Sequence, residues 1–347
     1  MKLLFNKYLF SSLILIFFFL GVWVLAPDST PDFPVISQKL KGVCWVGSRQ
    51  ALQGGELESL ATTGANSISQ TPFGWQADPG KPEIRWALEN DRMWWGESAI
   101  GLKTTLDSAK SHQISSMLKP HLWVRGAWPG EVEMSSEQDW QQWFGLYRKF
   151  IVDYARLAEK SEMPFFCIGT ELEKTSHRTQ DWRKIISAVR EVYSGKITYA
   201  ANFTEYEQIQ FWSELDFIGI QGYFPLSEKK KPTKRELINA WKTPISNIEA
   251  VVNQFQKPVI FTEIGYCNTE DAAKEPWVWP NERHASKLSE SSQALCYEAF
   301  FDAVWTKEWL AGVYFWKWYP EGKGRDPDFS PQGLQAEKVM RTYFSQP

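Results

Sequence analysis

The stretch Pro258-Val259-Ile260-Phe261-Thr262-Glu263-Ile264-Gly265-Tyr266 decides how the rest of the chain is read. Val259–Thr262 is short, apolar and β-branched, the pattern of a strand covered on both faces, and it runs directly into a carboxylate. Upstream, Phe165-Phe166-Cys167-Ile168-Gly169-Thr170-Glu171 repeats that pattern. Burying an ionised carboxyl after such runs is costly, so two occurrences ask for a purpose. Working outward from both, further strands are expected at Gly42–Val46, Ala65–Ser69, Ile114–Lys119, Ile197–Ala201, Phe217–Gln221 and Gly312–Trp316. Helical periodicity fills the intervals: Trp140, Trp143, Phe144, Tyr147, Phe150, Ile151, Tyr154 and Leu157 share one face. Trp182, Ile185, Ile186, Val189 and Val192 form a second such face, and Ile245, Ile248, Val251, Val252 and Phe255 a third. A last helix is expected over roughly Gln332–Tyr343. Strands alternating with helices imply a parallel sheet, and eight strands imply closure, so the fold class is α/β, a (β/α)8 TIM barrel.

A hydrophobic segment precedes the barrel. Lys2 and Lys7 lead into an uncharged run from Tyr8 to Ala26, long enough to span roughly 28 Å as a helix. Asp28 and Asp32 follow, which orients the remainder of the chain outward. Residues 1–26 are read as a signal anchor or signal peptide, with Pro27 disfavouring cleavage after Ala26. Residues 27–40, with Pro27, Pro31 and Pro34, form a linker, and residues 41–347 the catalytic domain. Membrane contact through the N-terminal segment and a catalytic domain outside the cytoplasm are expected, secreted or periplasmic if the signal is cleaved.

Composition narrows the partner class. A net charge of -3 excludes the basic footprint of a nucleic-acid binder, and Lys229-Lys230-Lys231 reads as a solvated loop. Nineteen Trp exceed what a core needs, and indole faces pack well against the C–H faces of sugars, which favours a carbohydrate partner. Cys44, Cys167, Cys267 and Cys296 contain no CxxC pair and the four His are scattered, so no metal site or cofactor is implied. Buried free thiols are expected for Cys44 and Cys167, while a Cys267–Cys296 disulfide is left open.

In this fold, chemistry collects where strands pass into the following loops. Those positions carry Lys119 and His121, Glu171 and Glu173, Asn202, Tyr223, Glu263, and Trp316 with Trp318. Glu171 and Glu263, on the fourth and seventh strands, would face each other across the barrel mouth. Glycoside cleavage requires that arrangement: one protonated carboxyl assists the leaving oxygen, and one ionised carboxyl attacks the anomeric carbon. Glu173 competes for the acid role but should point elsewhere, two residues on. His121 is assigned to a sugar hydroxyl or a loop cap, and Lys119 to sugar hydroxyls, to tuning a pKa or to a rim ion pair. Trp75, Trp94, Trp95, Trp123, Trp128, Trp277 and Trp279 lie in loops that either stack on substrate or pack locally. Arg178 is expected either opposite Glu173 or against substrate, and Asp216 in a turn before the sixth strand.

Phe166–Leu172, Gln221-Gly222-Tyr223-Phe224-Pro225 and Phe261–Tyr266 resemble glycoside hydrolase family 113, the endo-β-1,4-mannanase-like family of clan A, over roughly residues 41–345. The resemblance implies that Glu171 is the acid/base and Glu263 the nucleophile. It also makes Tyr223 the hydrogen-bond donor to that nucleophile, and Trp316 the platform beneath the reacting sugar. Where most clan A members place Asn before the acid/base, this chain has Thr170, and Asn202 is a substitute for contacting the sugar 2-hydroxyl. The expected activity is retaining hydrolysis of β-1,4-mannosidic linkages. The alternatives are an exo-β-mannosidase, a β-glucan hydrolase, or a cell-surface sugar-binding barrel without activity.

Overall fold

The computed structural model describes residues 38–89, 93–283, 286–322, 324 and 326–346. The N-terminal hydrophobic segment and nearly all of the linker lie outside the described residues, and with them the reading of an anchor or signal. Among the described residues no helix is long and apolar enough to cross a membrane.

Eight parallel strands close into a barrel: β1 (Leu40–Trp45), β2 (Ser67–Gln70), β3 (Ser115–Leu118), β4 (Phe165–Thr170), β5 (Lys196–Asn202), β6 (Ile218–Gln221), β7 (Val259–Ile264) and β8 (Leu310–Trp318). Each coincides with an expected strand, and β1 pairs with β8 to complete the ring. Apolar side chains sort into two cores by alternation along the strands. Cys44, Met117, Cys167, Ala200, Ile260, Ala311 and Tyr314 fill the barrel interior. Val43, Phe166, Ile168, Ile197, Ile220, Phe261 and Phe315 face outward, against the helices.

The longest helix, Glu137–Lys160, buries the predicted aromatic face from Trp140 to Tyr154, and Ser136 caps it by accepting from the Asp139 amide at 3.1 Å. Thr179–Arg190, Lys242–Phe255 and Gln335–Phe344 are the other expected helices. The helical layer has one interruption. Between β5 and β6 there is only a 3-10 turn, Trp212–Glu214, and the outer wall there is built from Phe211 and Trp212 packed on Trp182 and Tyr199. Large rings supply the apolar cover there in place of a helix.

The lower end of the barrel is tied by polar contacts. Lys41, almost fully buried, donates from Nζ to the Phe344 carbonyl at 2.7 Å and so fastens the last helix to β1. Asp216 accepts from the Ile197 amide at 2.9 Å and pairs with Arg190 and Lys196, closing the turn before β6 as expected. All four cysteines are buried free thiols, so the Cys267–Cys296 bond left open by the sequence is not formed.

A three-stranded sheet stands above the barrel, made of Phe73–Gln76, Ile84–Arg85 and His121–Val124. Sequence reading treated these segments as loops after β2 and β3. They are too short to show a convincing period, and the pairing that makes them strands joins two different loops.

Candidate active site

Both carboxylates stand at the upper, C-terminal ends of their strands, and at both the regular β register breaks. On β7, Phe261 and Ile264 both face outward although three residues apart, so alternation fails between them. The pairing with β6 shifts between Phe261 and Glu263, a bulge that re-aims Glu263 into the mouth. On β4 the register with β5 shifts between Cys167 and Thr170. Glu171 follows in the left-handed region at φ 52°, where its amide donates to the Ala200 carbonyl at 2.8 Å. A left-handed non-glycine residue is strained by about 1–2 kcal/mol, held here by the surrounding hydrogen bonds.

The two carboxyls have opposite surroundings. Glu263 is buried and forms an ion pair with Lys119, whose side chain has no exposed surface. Lys119 Nζ also donates to the Thr262 carbonyl at 3.3 Å. The Tyr223 hydroxyl donates to Glu263 Oε2 at 2.9 Å. Burial alone would raise the pKa of Glu263, yet the Lys119 charge and hydrogen bond outweigh it and hold the group below the ordinary carboxylate range. Among the described residues Glu171 forms no ion pair, although the Lys119 charge works against the rise in its pKa. Burial and the charge of Glu263 push its pKa up to about 7, opposed also by the Trp128 indole, which donates to Oε2 at 2.7 Å. One carboxyl is therefore ionised and the other protonated at mildly acidic pH, the division that acid-assisted displacement needs.

His121 stands beside Glu263, with Nε2 3.6 Å from Oε1 and without a hydrogen-bond partner among the described residues. Burial and the Lys119 charge push its pKa down to about 3, so the ring is neutral. It stacks on Trp316 at 6.5 Å between centroids and 12° between planes. Trp316 packs against the interior cluster that contains Tyr314, deeper in the barrel, so it lies on the inward side as expected. Trp279 meets Trp316 edge-on at 6.5 Å, and Trp277 stacks on Phe203.

Four readings need correcting or sharpening. Lys119 does not open onto the cleft. It is sealed beneath Glu263 and acts on that carboxylate, not on sugar hydroxyls. Arg178 pairs with Glu137 and Asp181, not with Glu173, because the helix Glu137–Lys160 starts alongside it. Glu173 turns away, accepting from the Thr204 hydroxyl at 2.6 Å. Asn202 does end β5, where its Oδ1 is buried with no partner among the described residues, and the Thr170 hydroxyl is in the same state.

Sequence reasoning left Trp128 undecided and missed Tyr199 and Glu205. Tyr199 accepts from the Leu172 amide at 2.9 Å and donates to Glu205 Oε1 at 2.8 Å, tying the residue after Glu171 to β5. Glu205 is almost fully buried, and burial pushes its pKa up to about 8. The signal for Glu205 was only a Glu three residues after a strand end. Among the described residues no group of three or more His, Cys, Asp or Glu is placed to hold a metal ion.

The family model described as Glycoside Hydrolase Family 113 matches residues 45–328. The β-mannanase AaManA of that family from Alicyclobacillus acidocaldarius, solved with the ligand ManMIm, is 26% identical, with TM-score 0.78 over 88% of this chain and 97% of that one. A second β-1,4-mannanase of the family is 25% identical, with TM-score 0.77 over 89% of this chain and 100% of that one. A family 5 mannosidase from Rhizomucor miehei, 12% identical with TM-score 0.57 over 88% and 92% of the two chains, shares the fold. None of the curated protein sequences matches.

Proposed function

The chain belongs to glycoside hydrolase family 113, and on that premise we propose that it cleaves β-1,4-mannosidic linkages in mannan-type polysaccharides or oligosaccharides by double displacement, with Glu263 as nucleophile and Glu171 as acid/base. The observation that carries the roles is the unequal environment of the two carboxyls. Lys119 and Tyr223 stabilise charge on Glu263, whereas Glu171 is raised to about 7 and keeps its proton in mildly acidic solution.

In the first step a Glu263 carboxylate oxygen bonds to the anomeric carbon as the glycosidic C–O bond breaks, and Glu171 gives its proton to the departing oxygen. The product is a glycosyl ester of Glu263. Esterification removes the negative charge of Glu263, so one cause of the raised Glu171 pKa disappears. Glu171, now ionised, takes a proton from water as the water oxygen attacks the anomeric carbon, and Glu263 leaves as carboxylate. Trp316 offers its face beneath the reacting sugar. His121, neutral and without a hydrogen-bond partner at Nε2 among the described residues, is available to a sugar hydroxyl.

Azide rescue tests the roles. Glu263→Ala should lose turnover on every substrate and, with azide, yield the glycosyl azide of inverted configuration. Glu171→Ala should keep its first step on aryl glycosides and yield the retained azide. The opposite pairing would exchange the two roles. A panel of manno- and gluco-oligosaccharides, read by product size, separates mannan cleavage from the β-glucan and exo-β-mannosidase alternatives. Export of the domain is also proposed, on the strength of Lys2 and Lys7 ahead of the run Tyr8–Ala26. Cell fractionation with activity found only in the cytoplasm would refute it.

A further inference from the structure

The small sheet above the barrel has two unlike faces. Its parallel strands pair Phe73 with His121, Gly74 with Leu122, Trp75 with Trp123 and Gln76 with Val124. Side chains alternate, so the even-numbered set points to the protein and the odd-numbered set away from it. The inner set is sealed: the Trp143 indole donates to Gln76 Oε1 at 3.0 Å, and a Cβ added at Gly74 would come within 2.9 Å of the Phe150 ring. The orientation of the outer set is thereby imposed by packing.

That outer face leaves two indoles in water. Trp75 is 51% exposed and Trp123 50%, with ring centroids 6.3 Å apart. Phe73 lies 6.2 Å from each and 5.5 Å from His121. His121 in turn stacks on Trp316 and stands beside Glu263. The aromatic row is therefore continuous from the reacting carboxylate to the open surface. Arg85, directly opposite Trp75 in the antiparallel pair, puts hydrogen-bond donors on the same face.

We propose that Trp75 and Trp123 form a distal subsite for a β-linked polysaccharide, reached from the catalytic carboxylates through Phe73 and His121. The occupant follows from the chemistry of the row. Flat apolar faces bordered by a donor suit successive pyranose rings, whose C–H faces stack while their hydroxyls accept. From Phe73 to Trp75, and from His121 to Trp123, two residues along a strand advance about 6.6 Å, on the scale of one sugar ring. A peptide lying on this face would find no backbone partners, because the strand N–H and C=O groups point sideways within the sheet and not out of its face. The proposal rests on the reading that Glu171 and Glu263 cleave a glycosidic bond, since that makes the inner end of the row the place where a sugar chain starts.

The test uses the full chain and the double variant Trp75→Ala, Trp123→Ala. In gels containing soluble glucomannan or β-glucan, the unaltered protein should be retarded and the double variant should migrate freely. The ratio of kcat/KM on polymer to that on an aryl β-mannoside should fall on the order of tenfold, the equivalent of about 1.4 kcal/mol of lost stacking. Trp75→Leu with Trp123→Leu keeps apolar bulk without a flat face and should behave like the alanine pair. Unchanged retardation and an unchanged ratio would overturn the subsite, as would an unaltered protein that no polysaccharide retards. Retardation does not depend on turnover, so absence of mannan cleavage counts against the proposed activity alone.

Discussion

At the residue scale, the division of labour between Glu171 and Glu263 comes from one cation and one indole. A lysine with no exposed surface is tolerated only because Glu263 pairs with it, and removing either partner would strand a buried charge at a cost of about 3–5 kcal/mol. The Trp128 indole acts on the other carboxyl. Its N–H stabilises the ionised form of Glu171, so it lowers a pKa that burial and Glu263 raise. The alkaline limb of the kcat/KM profile should fall near pH 7 as Glu171 loses its proton, and the acidic limb should lie below the ordinary carboxylate range, where Glu263 takes one up. Trp128→Phe should move the alkaline limb to higher pH and leave the acidic limb in place. A profile that shifts at its acidic limb would mean that Trp128 acts on Glu263 instead. These pairings were only partly legible in the sequence. The family resemblance implied the pairing of Tyr223 with Glu263, but Trp128 lies 43 positions from Glu171 in a loop without a period.

At the scale of elements, the site depends on how β4, β5 and β6 are held together. The Tyr199 hydroxyl on β5 receives the Leu172 amide just beyond Glu171 and donates in turn to Glu205, in the loop after β5. Tyr199→Phe leaves the buried amide without an acceptor, which should destabilise the fold by about 1–3 kcal/mol. Because the lost bond supports the left-handed turn at Glu171, kcat on unactivated substrates should fall more than kcat on aryl glycosides, which need less acid assistance. Equal losses on both would confine Tyr199 to a structural role. The neighbouring contact between β5 and β6 is tighter still. A Cβ at Gly219 would lie 2.2 Å from the Tyr199 carbonyl oxygen, a backbone atom that cannot swing aside. Gly219→Ala should therefore lower stability by about 1–3 kcal/mol in urea denaturation, with the strands forced apart. An unchanged midpoint would show that the barrel absorbs the added methyl.

For the whole molecule, the barrel is complete from Leu40 onward, with Lys39 donating to the Lys307 and Leu310 carbonyls and Lys41 holding the last helix. A chain that begins at residue 27 should accordingly fold, stay in solution and match the full chain in kcat/KM. A folded but inactive truncation would mean that the first 26 residues contribute to the site. The sequence by itself determined the eight strands and the two carboxylates at their ends, because alternation and β-branched runs are local properties written into consecutive residues. It also carried the family likeness, through the short segments around Glu171, Tyr223 and Glu263. Tertiary structure alone decided which way those carboxylates face and how they are charged. Register breaks on β4 and β7, the burial of Lys119 under Glu263, and the partnership of two separate loops in the Trp75–Trp123 sheet all depend on residues distant in sequence. A side chain's field and burial are set by whatever the closed barrel brings against it, and no local pattern encodes those neighbours.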